Sequence, residues 1–351
     1  MASSKRLLPF ALAAVMALSS VACDGGDKAS GAIPNDAAPA ESDPFISVRA
    51  QLGEQAVRDL FEVEAAHAEY WRMFTLDRFD GESWTSTNPD GSKRGVALLP
   101  PVILPQSGGR LPPGAETLNQ TFRILSDFDI THALPMAQTA EEIAGPIGNI
   151  TWDPVRAQAF IDRGLEEGME YAVRSRIVIP TPEQLDQVEF FAPQAYGEWT
   201  ELPADLDPQI GLIAKRWTAA ATSDYRKVLA IQQHFHNGLF VYSTDVEPAE
   251  DGDALLEFLT QTRTGFCQHY TAAMTVMVRA LGLPARIAVG YRSGTRQEDG
   301  SYLVQSDDVH VWVEVLFPGY GWLQFEPEAG TTHPNAQAGT YLNPITAMDA
   351  S

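Results

Sequence analysis

Cysteine is almost missing from this 351-residue chain, with Cys23 and Cys267 its only two. That excludes a disulfide-stapled scaffold and leaves too few thiolates for a cysteine-built metal site. Basic residues are scarce as well: 24 Lys and Arg stand against 46 Asp and Glu, a formal charge of −22. The balance argues against nucleic acid as a partner and against charge-driven docking on an anionic surface. No glycine-rich phosphate loop is present, so nucleotide chemistry has no support. The apolar run Leu7 to Leu18 falls short of the roughly 20 residues that a membrane-spanning helix needs. No internal repeat is visible.

What is present starts with an export signal. Lys5-Arg6, the apolar run, and Ser20-Val21-Ala22-Cys23 supply the charged, hydrophobic and small-residue regions of a secretory leader over residues 1–22. Cys23 follows a small residue and is a candidate lipidation site, with simple cleavage after Ala22 as the alternative. Residues 23–44, rich in Asp, Gly, Ala, Pro and Ser, read as a flexible tether. Loss of Lys5 and Arg6 with the leader leaves 22 basic against 46 acidic residues, a balance of −24. Membrane attachment would therefore come through lipid on Cys23. The expectation is an exported protein of the cell envelope.

The remaining 300 or so residues suggest two domains. Residues 45–180 carry Pro and Gly punctuation and strand-like runs such as Thr121-Phe122-Arg123-Ile124-Leu125 and Tyr171-Ala172-Val173-Arg174, which predicts a β-rich unit. Residues 181–207 connect it to a second unit over 208–330. There Ile210 to Trp217 predicts a helix, Ser223-Asp224 caps another running from Tyr225 toward Gly238, and a third runs from Cys267 to Leu281, stopped by Gly282 and Pro284. Ala273, Val276, Met277 and Ala280 form its apolar stripe. Helices followed by strands make an α+β core, and residues 331–351 read as a loose tail.

Cys267 stands at a helix start, where backbone N–H groups and the helix dipole favour a thiolate below its ordinary pKa of about 8.5. Downstream, His310 begins the alternating run His310-Val311-Trp312-Val313-Glu314-Val315-Leu316, and Glu326 ends Trp322-Leu323-Gln324-Phe325-Glu326. Nucleophile, base and orienting carboxylate thus follow in order. A three-residue loop at 318–320 would place Trp312 opposite Glu326 and His310 diagonally from it on the same face. A two-residue loop would put them on opposite faces. Asp307 and Asp308, on the approach to His310, are the alternative acids.

Several blocks carry a family resemblance. Asp253 to Leu259, Gly265-Phe266-Cys267, Arg279-Ala280-Leu281-Gly282-Leu283-Pro284-Ala285-Arg286, Val289-Gly290-Tyr291, His310 to Val315 and Gly321-Trp322 resemble the bacterial transglutaminase-like core. Tyr70-Trp71-Arg72, Leu76-Asp77 and Phe79 to Trp84 resemble the amino-terminal part of its extracytoplasmic, membrane-associated branch. The resemblance implies a papain-like fold, a nucleophile helix packed on an antiparallel sheet and preceded by a β-rich domain. Cys267 would attack a carboxamide or peptide carbonyl and His310 would serve as base. The family's Asp-Pro pair corresponds here to Glu326-Pro327.

A cysteine can be a buried hydrophobe, and His310 a satisfied strand histidine. A zinc site from Cys267-Gln268-His269 with His234-Phe235-His236 is disfavoured, because residues two apart on a helix point to different sides. No metal or organic cofactor is expected. The substrate would be a protein or peptide, and the acyl group would pass to water or to a primary amine. The rival class is a non-catalytic envelope adaptor that keeps the fold.

Overall fold

Buried positions alternate along the strand Glu116–Ile124, with Leu118, Gln120, Phe122 and Ile124 inward and Asn119, Thr121 and Arg123 outward. This period of two marks a sheet packed on one face. In the computed structural model, residues 56–342 are described except 94, 106–114, 129–131, 191–195, 247–253, 329, 332 and 336–338. The expected leader, Cys23 and the tether lie outside them.

The fold is mixed α and β, with a β-rich amino-terminal region. A seven-stranded antiparallel sheet runs in the order Thr295–Arg296, Tyr302–Gln305, Asp59–Ala65, Glu116–Ile124, Glu170–Ile177, Ala140–Ala144, Val102–Ile103. A four-stranded antiparallel sheet runs Gly321–Phe325, Val309–Phe317, Ala285–Tyr291, Trp71–Leu76. Strands from both sides of residues 181–207 share each sheet: Asp59–Ala65 pairs with Tyr302–Gln305, and Trp71–Leu76 pairs with Ala285–Tyr291. This interleaving carries amino-terminal side chains into the region around Cys267.

Every residue of Ala285–Tyr291 is buried, because the strand is covered on both faces. One cover is the helix Cys267–Ala280. Two further helices pack on that one: Pro208–Trp217, capped by Asp207 on the Gln209 N–H, and Asp224–Phe235, capped by Ser223 on the Arg226 N–H. Enclosed this way, the central helix buries more than a stripe. Thr271, Met274, Thr275 and Val278 are inside along with Ala273, Val276 and Met277.

Buried arginines tie the layers together. Arg286 Nε donates to Glu314 Oε2 at 2.7 Å, Arg72 lies 3.6 Å from the same carboxylate, and the Arg286 guanidinium sits 4.0 Å from the centre of the Trp322 ring. Arg279 donates to the carbonyls of Ala285, Glu201 and Asp77 at 2.8–2.9 Å. Removing one partner from such a pair strands a charge in the interior, at a cost of about 3–5 kcal/mol. Arg72, Arg279 and Arg286, which fall in the blocks that carry the family resemblance, are therefore structural.

Part of the segment expected to be a loose tail is packed. Tyr341 and Leu342 are buried, the Tyr225 hydroxyl donates to the Tyr341 carbonyl, and Gln232 donates to that of Leu342. Aromatic and aliphatic side chains within an otherwise polar tail give it something to bury.

Candidate active site

Pro318 and Gly319 decide where Glu326 lies. They occupy the centre of a turn closed by the Tyr320 N–H on the Phe317 carbonyl at 3.0 Å, and Gly319 has the positive φ of 87° that a type II turn requires. Phe317 faces Gly321 and Val313 faces Phe325, so the loop is three residues long. One step further along that register sets Trp312 across from Glu326. His310, on the same face, then meets the carboxylate directly: Nε2 donates to Glu326 Oε2 at 2.7 Å. Asp307 is exposed, and Asp308 accepts the Gln305 N–H at 2.8 Å. Neither of these acids makes the His310 bond.

Glu326 is held from several sides. The Tyr70 hydroxyl donates to Oε2 at 2.6 Å, the Glu328 N–H donates to Oε1 at 3.1 Å, and the Glu326 N–H donates to Gln232 Oε1 at 3.0 Å. Burial alone would raise its pKa. The positive charge available on His310, with the hydrogen bonds from His310, Tyr70 and Glu328, outweighs burial and lowers it. The carboxylate therefore stays ionised and fixes the tautomer with hydrogen on Nε2. The lone pair on Nδ1 is left to accept.

Cys267 begins its helix, and the Thr271 hydroxyl one turn on donates to the Val311 carbonyl at 3.3 Å, which docks the helix start against the His310 strand. Gly265 makes room: a Cβ there would lie 2.8 Å from the His269 ring, which folds back to accept the Phe266 N–H on Nδ1. Gly290, opposite His310, is needed because a Cβ would lie 2.2 Å from the Trp71 carbonyl. The Cys267 sulfur, a His310 ring nitrogen and a Glu328 carboxylate oxygen all fall within 4.8 Å of one another.

The thiol is not the low-pKa group that its helix-start position predicts. Cys267 is only 1% exposed. Burial pushes its pKa up strongly and the negative charge of Glu328 adds to this, while Arg292 and the Val311 N–H act in the other direction. Desolvation of a thiolate outweighs the helix dipole, whose effect is modest. The resting thiol is consequently neutral, and its proton must leave as the sulfur attacks.

Glu328 and Arg292 are absent from the residues that sequence reasoning singles out. Arg292 Nη2 donates to Glu328 Oε1 at 3.0 Å and to His310 Nδ1 at 3.3 Å. The signal was the second acid in Glu326-Pro327-Glu328 and the base directly after Val289-Gly290-Tyr291. Cys267, His310 and Glu328 could also present three donors to a metal ion, but the Arg292 guanidinium already sits against two of them. His234 stacks on Trp217 with ring centres 4.0 Å apart, away from any such set.

Comparison with known proteins agrees with this architecture. Residues 212–327 match the Transglutaminase-like superfamily, and residues 4–182, about half of the chain, match the TgpA N-terminal domain. The chain belongs to the bacterial transglutaminase-like family. This transglutaminase-like chain is 30% identical over 295 residues to the protein-glutamine gamma-glutamyltransferase of Pseudomonas aeruginosa, covering 79% of the chain and 39% of that protein. It is 35% identical over 143 residues to YebA of Bacillus subtilis, covering 39% of the chain and 19% of that protein. The chain thus spans less than half the length of these relatives. The periplasmic domain of TgpA from Pseudomonas aeruginosa, solved bound to ethylmercury, shares the fold with a TM-score of 0.60 at 23% identity, covering 87% of this chain and 97% of that one. No helix among the described residues is long and apolar enough to cross a membrane.

Proposed function

We propose that this chain is an exported acyltransferase that uses Cys267 to take the acyl group from the side-chain carboxamide of protein-bound glutamine. The observation that carries the reading is the convergence of the Cys267 sulfur on a His310 imidazole whose far nitrogen is bonded to Glu326. As the sulfur attacks the carbonyl carbon, its proton passes to His310 Nδ1. Collapse of the tetrahedral adduct breaks the C–N bond, and ammonia leaves with that proton. Glu326 stabilises the imidazolium in between without taking the proton. The thioester then passes to an amine or to water, and the latter outcome is amidase or peptidase chemistry through the same intermediate. The choice of glutamine rests on the name of the Pseudomonas relative.

The test is mass spectrometry of the full chain incubated with a glutamine-containing peptide, with and without a tagged alkylamine. An acyl adduct on Cys267 and amine-labelled peptide are expected, both lost in Cys267→Ala. The competing reading, a non-catalytic envelope adaptor, draws on the burial of the thiol. It predicts no adduct under any condition.

We also propose that residues 1–22 direct export and that Cys23 carries a lipid anchor in the cell envelope. The wild type should partition into detergent, and Cys23→Ala should release it or block its maturation. Wild-type protein found wholly in the aqueous extract, without acyl mass, would refute the anchor.

A further inference from the structure

Gln232, 1% exposed on the helix Asp224–Phe235, spends both ends of its side-chain amide on main-chain groups. Its Oε1 accepts the Glu326 N–H at 3.0 Å, and its Nε2 donates to the Leu342 carbonyl at 3.2 Å. An amide suits the place because it carries an acceptor and a donor at one tip. The strand Gly321–Phe325 ends one residue before Glu326, so the Glu326 N–H is held by this side chain and not by the strand ladder. The carboxy-terminal segment also grips what lies around Glu326. The Tyr341 hydroxyl donates to the Gln324 carbonyl at 3.2 Å, and its ring meets Phe325 edge-on with centres 5.9 Å apart. His333 Nε2 donates to Gln324 Oε1, and its ring centre lies 4.8 Å from that of Tyr70, whose hydroxyl donates to Glu326.

We propose that the carboxy-terminal segment is a strap that positions Glu326, with Gln232 the positioning residue that links the two. This rests on the acyl-transfer reading above, in which Glu326 orients His310. Glu326 Oε2 must meet His310 Nε2 at 2.7 Å and the Tyr70 hydroxyl at 2.6 Å together, so the place of its backbone decides whether both bonds form. A misplacement of about 1 Å far from the reacting atoms can cost on the order of 10² in rate. The strap has its own anchors, since the Tyr225 hydroxyl donates to the Tyr341 carbonyl and Asn335 donates to Glu69. A segment that merely filled space would stabilise the fold and act the same whether or not residue 326 carried a charge.

The experiment measures single-turnover acylation of the full chain in Gln232→Met, which removes both amide bonds, and in Tyr341→Phe, which removes only the hydroxyl bonded to Gln324. Gln232→Met should lower the acylation rate roughly tenfold to a hundredfold and Tyr341→Phe by up to about tenfold, with KM within about twofold. In a Glu326→Gln background each substitution should change the rate by less than about twofold, because the group it positions is gone. Equal losses in both backgrounds, or none in either, would overturn the strap. Should Gln232→Met fail to fold, Tyr341→Phe still decides. A second readout needs no turnover: in protein with ¹⁵N-labelled histidine, the downfield Nε2 proton of His310, assigned by its loss in His310→Gln, should move upfield in both variants. A resonance that ignores both substitutions refutes the strap. Absence of any acyl-enzyme in the wild type overturns the acyl-transfer reading itself, and the resonance still decides the strap.

Discussion

His310 Nε2 donates to Glu326 Oε2 across 2.7 Å, although the two residues stand on opposite sides of a hairpin turn. The same oxygen accepts the Tyr70 hydroxyl at 2.6 Å. One carboxylate oxygen thus joins the imidazole to a tyrosine from the far end of the described chain. The longer glutamate side chain serves here because the Tyr70 hydroxyl and the Glu328 N–H brace it, while Gln232 holds the Glu326 backbone N–H.

Charge on Glu326 should matter more than its ability to hydrogen-bond. Glu326→Gln is expected to lower the rate of Cys267 acylation by about 10²–10⁴, since the amide can select the wrong tautomer. Glu326→Asp, unable to reach both Tyr70 and His310, should lose about tenfold. Asp308→Asn should stay within about twofold of wild type. Single-turnover acylation rates check all three, and a large loss confined to Asp308→Asn would move the orienting role away from Glu326.

Tyr70 tests whether the amino-terminal region contributes to the site. Tyr70→Phe keeps the ring stacked on Trp312, whose centre lies 4.5 Å away, and removes only the hydroxyl. Loss of one hydrogen bond to a carboxylate should cost roughly tenfold in turnover. Because that bond helps lower the Glu326 pKa, the acid limb of the pH–rate profile should move to higher pH. An unmoved limb with normal turnover would reduce Tyr70 to a packing role.

The thiol should titrate late. Burial and Glu328 hold Cys267 neutral, so its alkylation by iodoacetamide should have a midpoint above the ordinary value of about 8.5. Glu328→Gln should shift the midpoint down and Arg292→Gln should shift it up. A wild-type midpoint below pH 8 that ignores both substitutions would contradict the electrostatic account.

Glu69, buried against Asn335, has its carboxyl pushed up by burial to about 8 from an ordinary 4.5. A raised folded-state pKa means that the neutral form is the one the fold stabilises. That contribution is complete below pH 4.5 and is lost as pH rises through 8. Glu69→Gln cannot ionise and can still bond Asn335. Its melting temperature relative to wild type should therefore climb by a few degrees between pH 5 and pH 9. A constant difference across that range would show that Glu69 does not titrate in the fold.

Local rules carried much of this protein. A period of two along Glu116–Ile124, a serine cap before Asp224, and a Pro-Gly pair at 318–319 that admits one kind of turn all act over a few residues, so the chain itself specifies them. The order of Cys267, His310 and Glu326 belongs with these, as does the shared face that a three-residue loop creates. What packs on those elements does not. Only the folded chain brings Tyr70 to Glu326, sets Arg292 between Glu328 and His310, and encloses Cys267 so fully that desolvation overrides the helix dipole. Burial and charge act through space, and the groups responsible come from strands and loops that lie far apart along the chain.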